Sequence, residues 1–335
     1  MEAVFIALFF FFTVVGFSTY YLQKGIGTMA DPLRQFGLFL LNKAPAGIVD
    51  LFNDEKGSGA KTWMNLGMLW LTLAGIGTFL SLWHDYDPSA LDSLASIGWA
   101  YDDGSALATF VNATLITGLF SILLGGGLVA VARSGAGKMA SESNASLTAL
   151  LFSVLTAAAL LLPTILGLLT DLSAENETLL QDLFMHSLRA FIIIAVMINV
   201  LLTVAQRKGE TIQASNWFVF MALASFIFGS QFRFFGELAG STQVVWLGER
   251  MTQSWVMISL FFAVAYHLVP RAASRPIWSD SMTKASMLLL FFTLPPFMMS
   301  SADAGTLLEN LGAILMTLAL LPIFAGSVNI IMTAA

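Results

Sequence analysis

The chain has 335 residues, of which 57% are hydrophobic and 11% are charged, with a formal net charge of −6. Soluble domains carry about 25% charged residues, so this composition excludes a water-soluble globular protein, and the mild charge gives no reason to expect a nucleic-acid partner. The sequence contains no cysteine, which excludes disulfide bonds, cysteine-bound iron–sulfur clusters and covalently attached c-type haem.

Long apolar segments follow one another along the chain, each long enough to cross roughly 30 Å of hydrocarbon as a helix. They predict an all-α, polytopic membrane helix bundle with about nine transmembrane helices. The predicted spans are 3–22, 63–83, 105–132, 147–170, 184–205, 215–235, 243–269, 281–300 and 306–333. Two regions are expected: 1–62, with an additional N-terminal helix and a loop, and 63–335, with the main bundle. No basic region precedes the first apolar segment, so we expect no cleavable signal peptide.

Basic and acidic residues alternate between successive loops. Basic residues occupy the first, third, fifth and seventh loops, namely Lys24, Arg34, Lys43, Lys56, Lys61, Arg133, Lys138, Arg207, Lys208, Arg271 and Arg275. The second and fourth loops are acidic. Because basic loops remain in the cytoplasm, we expect the N-terminus outside and the C-terminus in the cytoplasm, in the inner membrane of a prokaryote.

The first loop is about 40 residues long and contains an amphipathic stretch at 31–43. This pattern is typical of a short helix lying on the membrane surface. A loop whose apolar patch packs against a partner explains the same residues, and the sequence does not decide between the two.

Four short regions carry a likeness to a known family. They read Arg-Lys-Gly-Glu at 207–210 with Ser-Asn-Trp-Phe at 215–218, Tyr-His-Leu-Val-Pro-Arg at 266–271 with Ser-Arg-Pro-Ile-Trp-Ser at 274–279, Leu-Glu-Asn-Leu-Gly at 308–312, and Asn-Ile-Ile-Met-Thr at 329–333. From the second span onward, the chain resembles the catalytic subunit of the C-family, or cbb-type, haem-copper cytochrome c oxidases. More distantly, it is similar to the large subunit of nitric oxide reductase. The resemblance implies that eight spans correspond to helices I–VIII of that subunit.

The positions that the resemblance assigns to metal ligands carry other residues. Phe110 stands where the family has a low-spin haem ligand, and Arg250 where it has a copper-binding histidine. Phe297 and Met298 replace the next pair of copper ligands, and Phe291 replaces a nearby tyrosine. Phenylalanine offers a metal no lone pair, and a charged arginine repels it. The resemblance therefore implies a scaffold with no metal or haem at the family's positions.

A few polar residues within or beside the spans remain as candidate functional groups. One hypothesis pairs Arg250 with Glu249 or Glu309 inside the emptied metal pocket, since a charge kept in a membrane is costly and often functional. The alternative places Glu249 and Arg250 in the polar interface at the outer helix end. His84 and His186 also lie on the outer side. They are the candidates for holding a b-type haem, and interfacial positions are the alternative for both.

Three functions remain open at this point. The first is a non-catalytic membrane subunit that scaffolds or assembles a respiratory electron-transfer complex, with other integral subunits, a cytochrome and bound lipid as partners. The second is a proton- or ion-conducting subunit without redox cofactors, which needs ionisable groups through the bilayer. The third is a redox subunit whose haem is held by ligands outside the family pattern.

Overall fold

The computed structural model describes most of the main bundle and a short part of the N-terminal region. The described residues are 8–16, 35, 54–96, 99, 101, 103–169, 174–207, 211–297 and 305–335. Within these ranges the secondary structure is helical, without a strand. Seven of the described helices are long and apolar enough to cross a membrane. The prediction of an all-α membrane protein is thereby confirmed, whereas the amphipathic stretch at 31–43 falls, apart from residue 35, outside the described residues.

Ten helices make up the described fold. They are α1 (8–16), α2 (Ser58–Tyr86), α3 (Asp92–Ala95), α4 (Gly104–Ser134), α5 (Glu142–Leu169), α6 (174–205), α7 (Ala214–Leu238), α8 (242–272), α9 (Asp280–Phe297) and α10 (Thr306–Ala334). The seven membrane-length helices are α2, α4 to α8 and α10. Parts of the other two predicted spans lie in α1 and α9. Several helices begin before the predicted apolar boundary because polar residues form or cap the first turn; Asp103, for example, accepts hydrogen bonds from the N–H groups of Ser105 and Ala106.

Successive helices alternate in direction, which gives the bundle two chemically different ends. We call one the basic end, where the loops and helix ends carry Arg133, Lys138, Arg207, Arg271 and Arg275. The opposite end is the acidic end, where the loops and helix ends carry Asp85, Asp87, Asp92 and Asp103. Helices α2, α5, α7 and α9 begin at the basic end, and α4, α6, α8 and α10 begin at the acidic end.

The centre of the bundle is filled by aromatic rings from three helices. Phe120 of α4 stacks on Phe152 of α5, with ring centroids 5.2 Å apart, and on Phe226 of α7, at 4.8 Å. The short α1 joins the same core, since its buried Phe11 lies edge-on to Trp255 of α8 at 5.2 Å. Tight packing of this kind drives helix association in lipid, where no hydrophobic effect acts between helices.

Candidate functional site

A cavity of about 480 Å³ lies in the half of the bundle nearer the acidic end. Helices α4, α5, α6, α7 and α8 all contribute to its lining. The ionisable and amide side chains in that lining include Asn112, Asp182, His186, Arg189, Arg233 and Glu249. A volume of this size is typical of a small-molecule site, which usually combines an apolar lining with a few polar groups. It is therefore the candidate functional site of this chain.

Two helices that line the cavity each contain a π-helical segment. In α6 this segment is Leu183–Leu188, and in α8 it is Met251–Trp255. Both contribute lining side chains, including Met185 from the first and Gln253 from the second. An extra residue per turn rotates the following side chains relative to a regular helix, and π-helical turns occur frequently at functional sites. The two segments therefore determine which side chains of α6 and α8 face the cavity.

In the part nearer the acidic end, the cavity carries an ion cluster that joins three helices. Arg233 of α7 bonds to the carboxylate of Glu249 on α8 and lies 3.5 Å from Asp182 on α6. The same oxygen of Asp182 lies 3.5 Å from Nε2 of His186. Asp182 is buried, and Arg233 and Glu249 are partly buried. Two carboxylates thus share one guanidinium, so the three groups together carry an excess of one negative charge when all are ionised.

The pairing of Arg233 with Glu249 depends on a close approach of α7 and α8. A Cβ atom at Gly248 would overlap backbone atoms of Gly229 and Arg233. Only glycine therefore allows the two helices to come together at this height. Because Glu249 follows Gly248 directly, the same contact brings its carboxylate to Arg233.

Deeper in the bundle, Arg189 of α6 lies at the inner part of the cavity and is 5% exposed. Its guanidinium is 3.9 Å from the centre of the Phe152 ring, at the aromatic core. Its Nη atoms reach the sulfur of Met185 at 2.8 Å and the hydroxyl of Thr117 at 3.4 Å. Its Nε–H has no hydrogen-bond partner among the described residues. The hydrogen bonds of Arg189 thus go to neutral groups, although its guanidinium is charged and buried.

Phe110 and Arg250, two of the ligand positions implied by the family resemblance, are not among the residues that line the cavity. Phe110 is packed 5.2 Å from Tyr101 in a separate aromatic contact. The exposed Arg250 lies over Trp246, 5.2 Å from its ring centre. The side chains of Phe291 and Phe297, and all of Met298, fall outside the described parts of the chain.

The structure forms a different ion pair from the one hypothesised for Arg250. Glu249 is bonded to Arg233, while Arg250 points to the exposed side of α8. The reason is geometric: consecutive helical residues point about 100° apart, so Glu249 and Arg250 do not face each other. Glu309 lies in the first turn of α10 and is half-buried.

The two histidines proposed as haem candidates occupy different environments. His186 lines the cavity, whereas His84 lies at the acidic end of α2, close to Gly104 at the start of α4. Among the described residues, no group of three or more histidine and acidic side chains is arranged to hold a metal ion.

Asp182, Arg189 and Arg233 are site residues that the sequence interpretation missed. Asp182 precedes the predicted span 184–205, whereas Arg189 lies inside that span and Arg233 lies inside 215–235. An arginine inside an apolar span is costly, and this alone marks it as a functional candidate. The sequence signal for these two arginines is therefore their charge within an apolar span. A comparison limited to the family's metal-ligand positions does not include them.

Comparison with known proteins gives no match to a protein-family model, and none to a curated protein sequence. The oxidase likeness therefore rests on the short stretches themselves. Several of these lie together near the basic end: Phe218 stacks on Tyr266 with centroids 5.6 Å apart, and Asn329 accepts a hydrogen bond from the N–H of Ser279 at 2.9 Å. These four residues make helix-to-helix contacts near the basic end, on the opposite side of the aromatic core from the cavity.

Proposed function

We propose that the chain is a non-catalytic membrane subunit that scaffolds or assembles a respiratory electron-transfer complex. In this proposal it has nine membrane helices, eight of them arranged like helices I–VIII of a haem-copper oxidase catalytic subunit. It lies in the inner membrane of a prokaryote, with its acidic end outside and its basic end in the cytoplasm. Its partners are integral subunits that hold the cofactors.

The environment of Phe110 is the observation that carries this proposal. The ring of Phe110 packs against Tyr101. It also lies so close to Gly77 of α2 that a Cβ atom at Gly77 would be 2.9 Å from Cδ1 of Phe110. The position at which the resemblance expects a haem ligand is thus filled by a ring in contact with α2 and the adjoining loop. A porphyrin would have to displace these contacts, so the local packing supports a scaffold role.

The exposed faces at the two edges of the bundle support a role within a complex. In the apolar 18-residue stretches of α2 and α10 that are suited to cross a membrane, only 22% of residues are buried. The corresponding stretches of the other five membrane-length helices are 44% or more buried. On α10, Ile314, Leu318 and Leu321 lie along one exposed apolar face. Such a face is covered by lipid or by another membrane helix. We propose that α10 packs against a partner subunit.

Purification of the tagged protein from native membranes, with mass spectrometry and an absorption spectrum, tests this proposal. We expect integral subunits of an electron-transfer complex to co-purify, with any haem assigned to them. A triple variant Ile314→Ala, Leu318→Ala, Leu321→Ala should lose the partner. Trimming Leu150, Val154 and Leu161 on the exposed side of α5 should retain it. A chain that purifies alone with a stoichiometric haem spectrum would overturn the scaffold role.

The ion cluster favours proton or ion conduction as a second candidate. Asp182, Arg233 and Glu249 provide linked ionisable groups in the half nearer the acidic end. The stacked rings of Phe120 and Phe226 lie between this cluster and the basic end, so a conduction path would have to pass beside them. Reconstitution in liposomes with an internal pH dye distinguishes the candidates. A proton flux that Asp182→Asn removes would favour conduction over scaffolding.

A further inference from the structure

We propose that the cavity beside Arg189 is a binding site for the carboxylate of a small apolar molecule. The first reason is the burial of this charge. Arg189 lies within α6, one of the membrane-length helices, and is 5% exposed. A charged side chain that is buried in a membrane protein is costly unless another group neutralises it, and such a residue often marks a functional site.

The contacts of Arg189 leave room for a charged acceptor. Thr117 and Met185 accept from its two Nη atoms, while its buried Nε–H lacks a partner among the described residues. A carboxylate fits the Nε side of the Arg189 guanidinium, because guanidinium and carboxylate groups form two parallel hydrogen bonds. Since Arg189 lines the cavity, a bound ligand can supply that carboxylate.

The two acidic side chains of the cavity are already engaged elsewhere. Asp182 and Glu249 both bond to Arg233. Their excess negative charge in the part of the cavity nearer the acidic end repels a second anionic group. The site therefore favours a monoanion whose charge lies at one end, next to Arg189, over a dianion such as inorganic phosphate at neutral pH.

The rest of the lining selects an apolar body for this ligand. Ile116, Leu160 and Met257 line the cavity together with alanine side chains, and Asn112 and Gln253 add neutral polar groups. A cavity of about 480 Å³ accommodates a medium-chain fatty acid. Binding at this site would not require the partner complex of the proposed function, so either can fail without the other.

Equilibrium binding to the whole chain in phosphatidylcholine nanodiscs tests this proposal, with empty nanodiscs as the background. The probes are octanoate, its neutral analogue octanol and its cationic analogue octylamine. We expect saturable binding of octanoate at least about tenfold tighter than that of octanol, because a charge-assisted bond is lost with the carboxylate. Octylamine should not compete. Equal affinities for octanoate and octanol would overturn the proposal without any variant.

Arg189→Gln is the matched test in the protein, since it keeps hydrogen-bonding capacity and removes the charge. It should reduce octanoate affinity at least about tenfold and leave octanol affinity unchanged. Arg250→Gln is the control, because Arg250 lies outside the lining, over Trp246. An Arg250→Gln variant that loses octanoate equally would contradict the assignment. Loss of octanoate binding in nanodiscs with added phosphatidylglycerol would reassign the site to a lipid phosphodiester.

Discussion

Asp54, just before α2, caps the N-terminus of α5, and Glu142, in the first turn of α5, caps the N-terminus of α2. Asp54 accepts hydrogen bonds from the N–H groups of Glu142 and Ser143 at the start of α5, at 3.0 and 3.4 Å. Glu142 in turn accepts from Gly57 and Gly59 at the start of α2, at 2.9 and 3.1 Å. Because the first N–H groups of a helix have no partner within it, each acid completes the other's helix. The exchange fixes the relative height of α2 and α5.

Replacing Glu142 with alanine should destabilise the bundle. Glu142 is 1% exposed, so the N–H groups of Gly57 and Gly59 would be left without their acceptor. A buried donor without a partner costs about 1–3 kcal/mol, so we expect a loss of at least about 2 kcal/mol in the free energy of unfolding. Glu142→Gln retains an acceptor oxygen and should lose less. Thermal unfolding in detergent would measure both, and equal losses would contradict the capping role.

The ionised carboxylate of Asp54 should stabilise the fold by an amount that decreases at acidic pH. Partial burial raises the pKa of Asp54, but hydrogen bonds from Ser143, Lys138 and Glu142 outweigh this effect and hold the pKa below its ordinary value of 3.8. Because the folded-state pKa is lowered, the contribution is present above the unfolded-state pKa and is lost as pH falls through the folded-state pKa.

The Asp54→Asn variant isolates this contribution, since asparagine does not titrate. The difference in melting temperature between the wild type and Asp54→Asn should be largest above about pH 5. It should shrink as the pH falls through the lowered folded-state pKa, where the wild-type carboxyl becomes protonated in the folded protein. A difference that stays constant over this range would show that the charge of Asp54 does not contribute.

Replacing Arg189 with methionine should raise the stability of the ligand-free protein. The guanidinium gains from its position over Phe152, a contact that contributes about 2 kcal/mol when desolvated. Burying the charge costs several kcal/mol, so an apolar side chain of similar length removes the larger of the two effects. We expect a higher melting temperature in detergent. A lower melting temperature would mean that Arg189 is a structural residue.

Asn329 should be required for the packing of α10 against α9. Its amide donates to the carbonyl of Ser279 and to the hydroxyl of Thr283, both at 2.8 Å, and accepts from the N–H of Ser279. Asn329→Ala should lower the free energy of unfolding by about 1–3 kcal/mol, since these buried groups lose their partner. Asn310→Ala is the matched control, because Asn310 lies on the exposed side of α10. Equal effects of the two changes would contradict this role.

The long helices could be predicted from the sequence because each requires only a local apolar window. The cavity could not, since it depends on which side chains of different helices face each other. The π-helical turns Leu183–Leu188 and Met251–Trp255 rotate the lining residues in a way that regular helical spacing does not give. The bond between Arg233 and Glu249 likewise depends on the height at which α7 meets α8. The buried charge of Arg189 was visible in the sequence, but its neighbours were not.

A substitution at Gly248 tests the close contact between α7 and α8 most directly. A methyl group at this position would overlap the backbone of Gly229 and Arg233, so Gly248→Ala must move α8 away from α7. Overpacking of this kind costs about 1–3 kcal/mol, and the shift should also separate Glu249 from Arg233. Gly75→Ala in α2 is the matched control, because nothing lies within 4 Å of the added Cβ. Since alanine favours a helix over glycine, the control should be neutral or stabilising in the same thermal measurement. A Gly248→Ala variant as stable as Gly75→Ala would show that α7 and α8 do not make this contact.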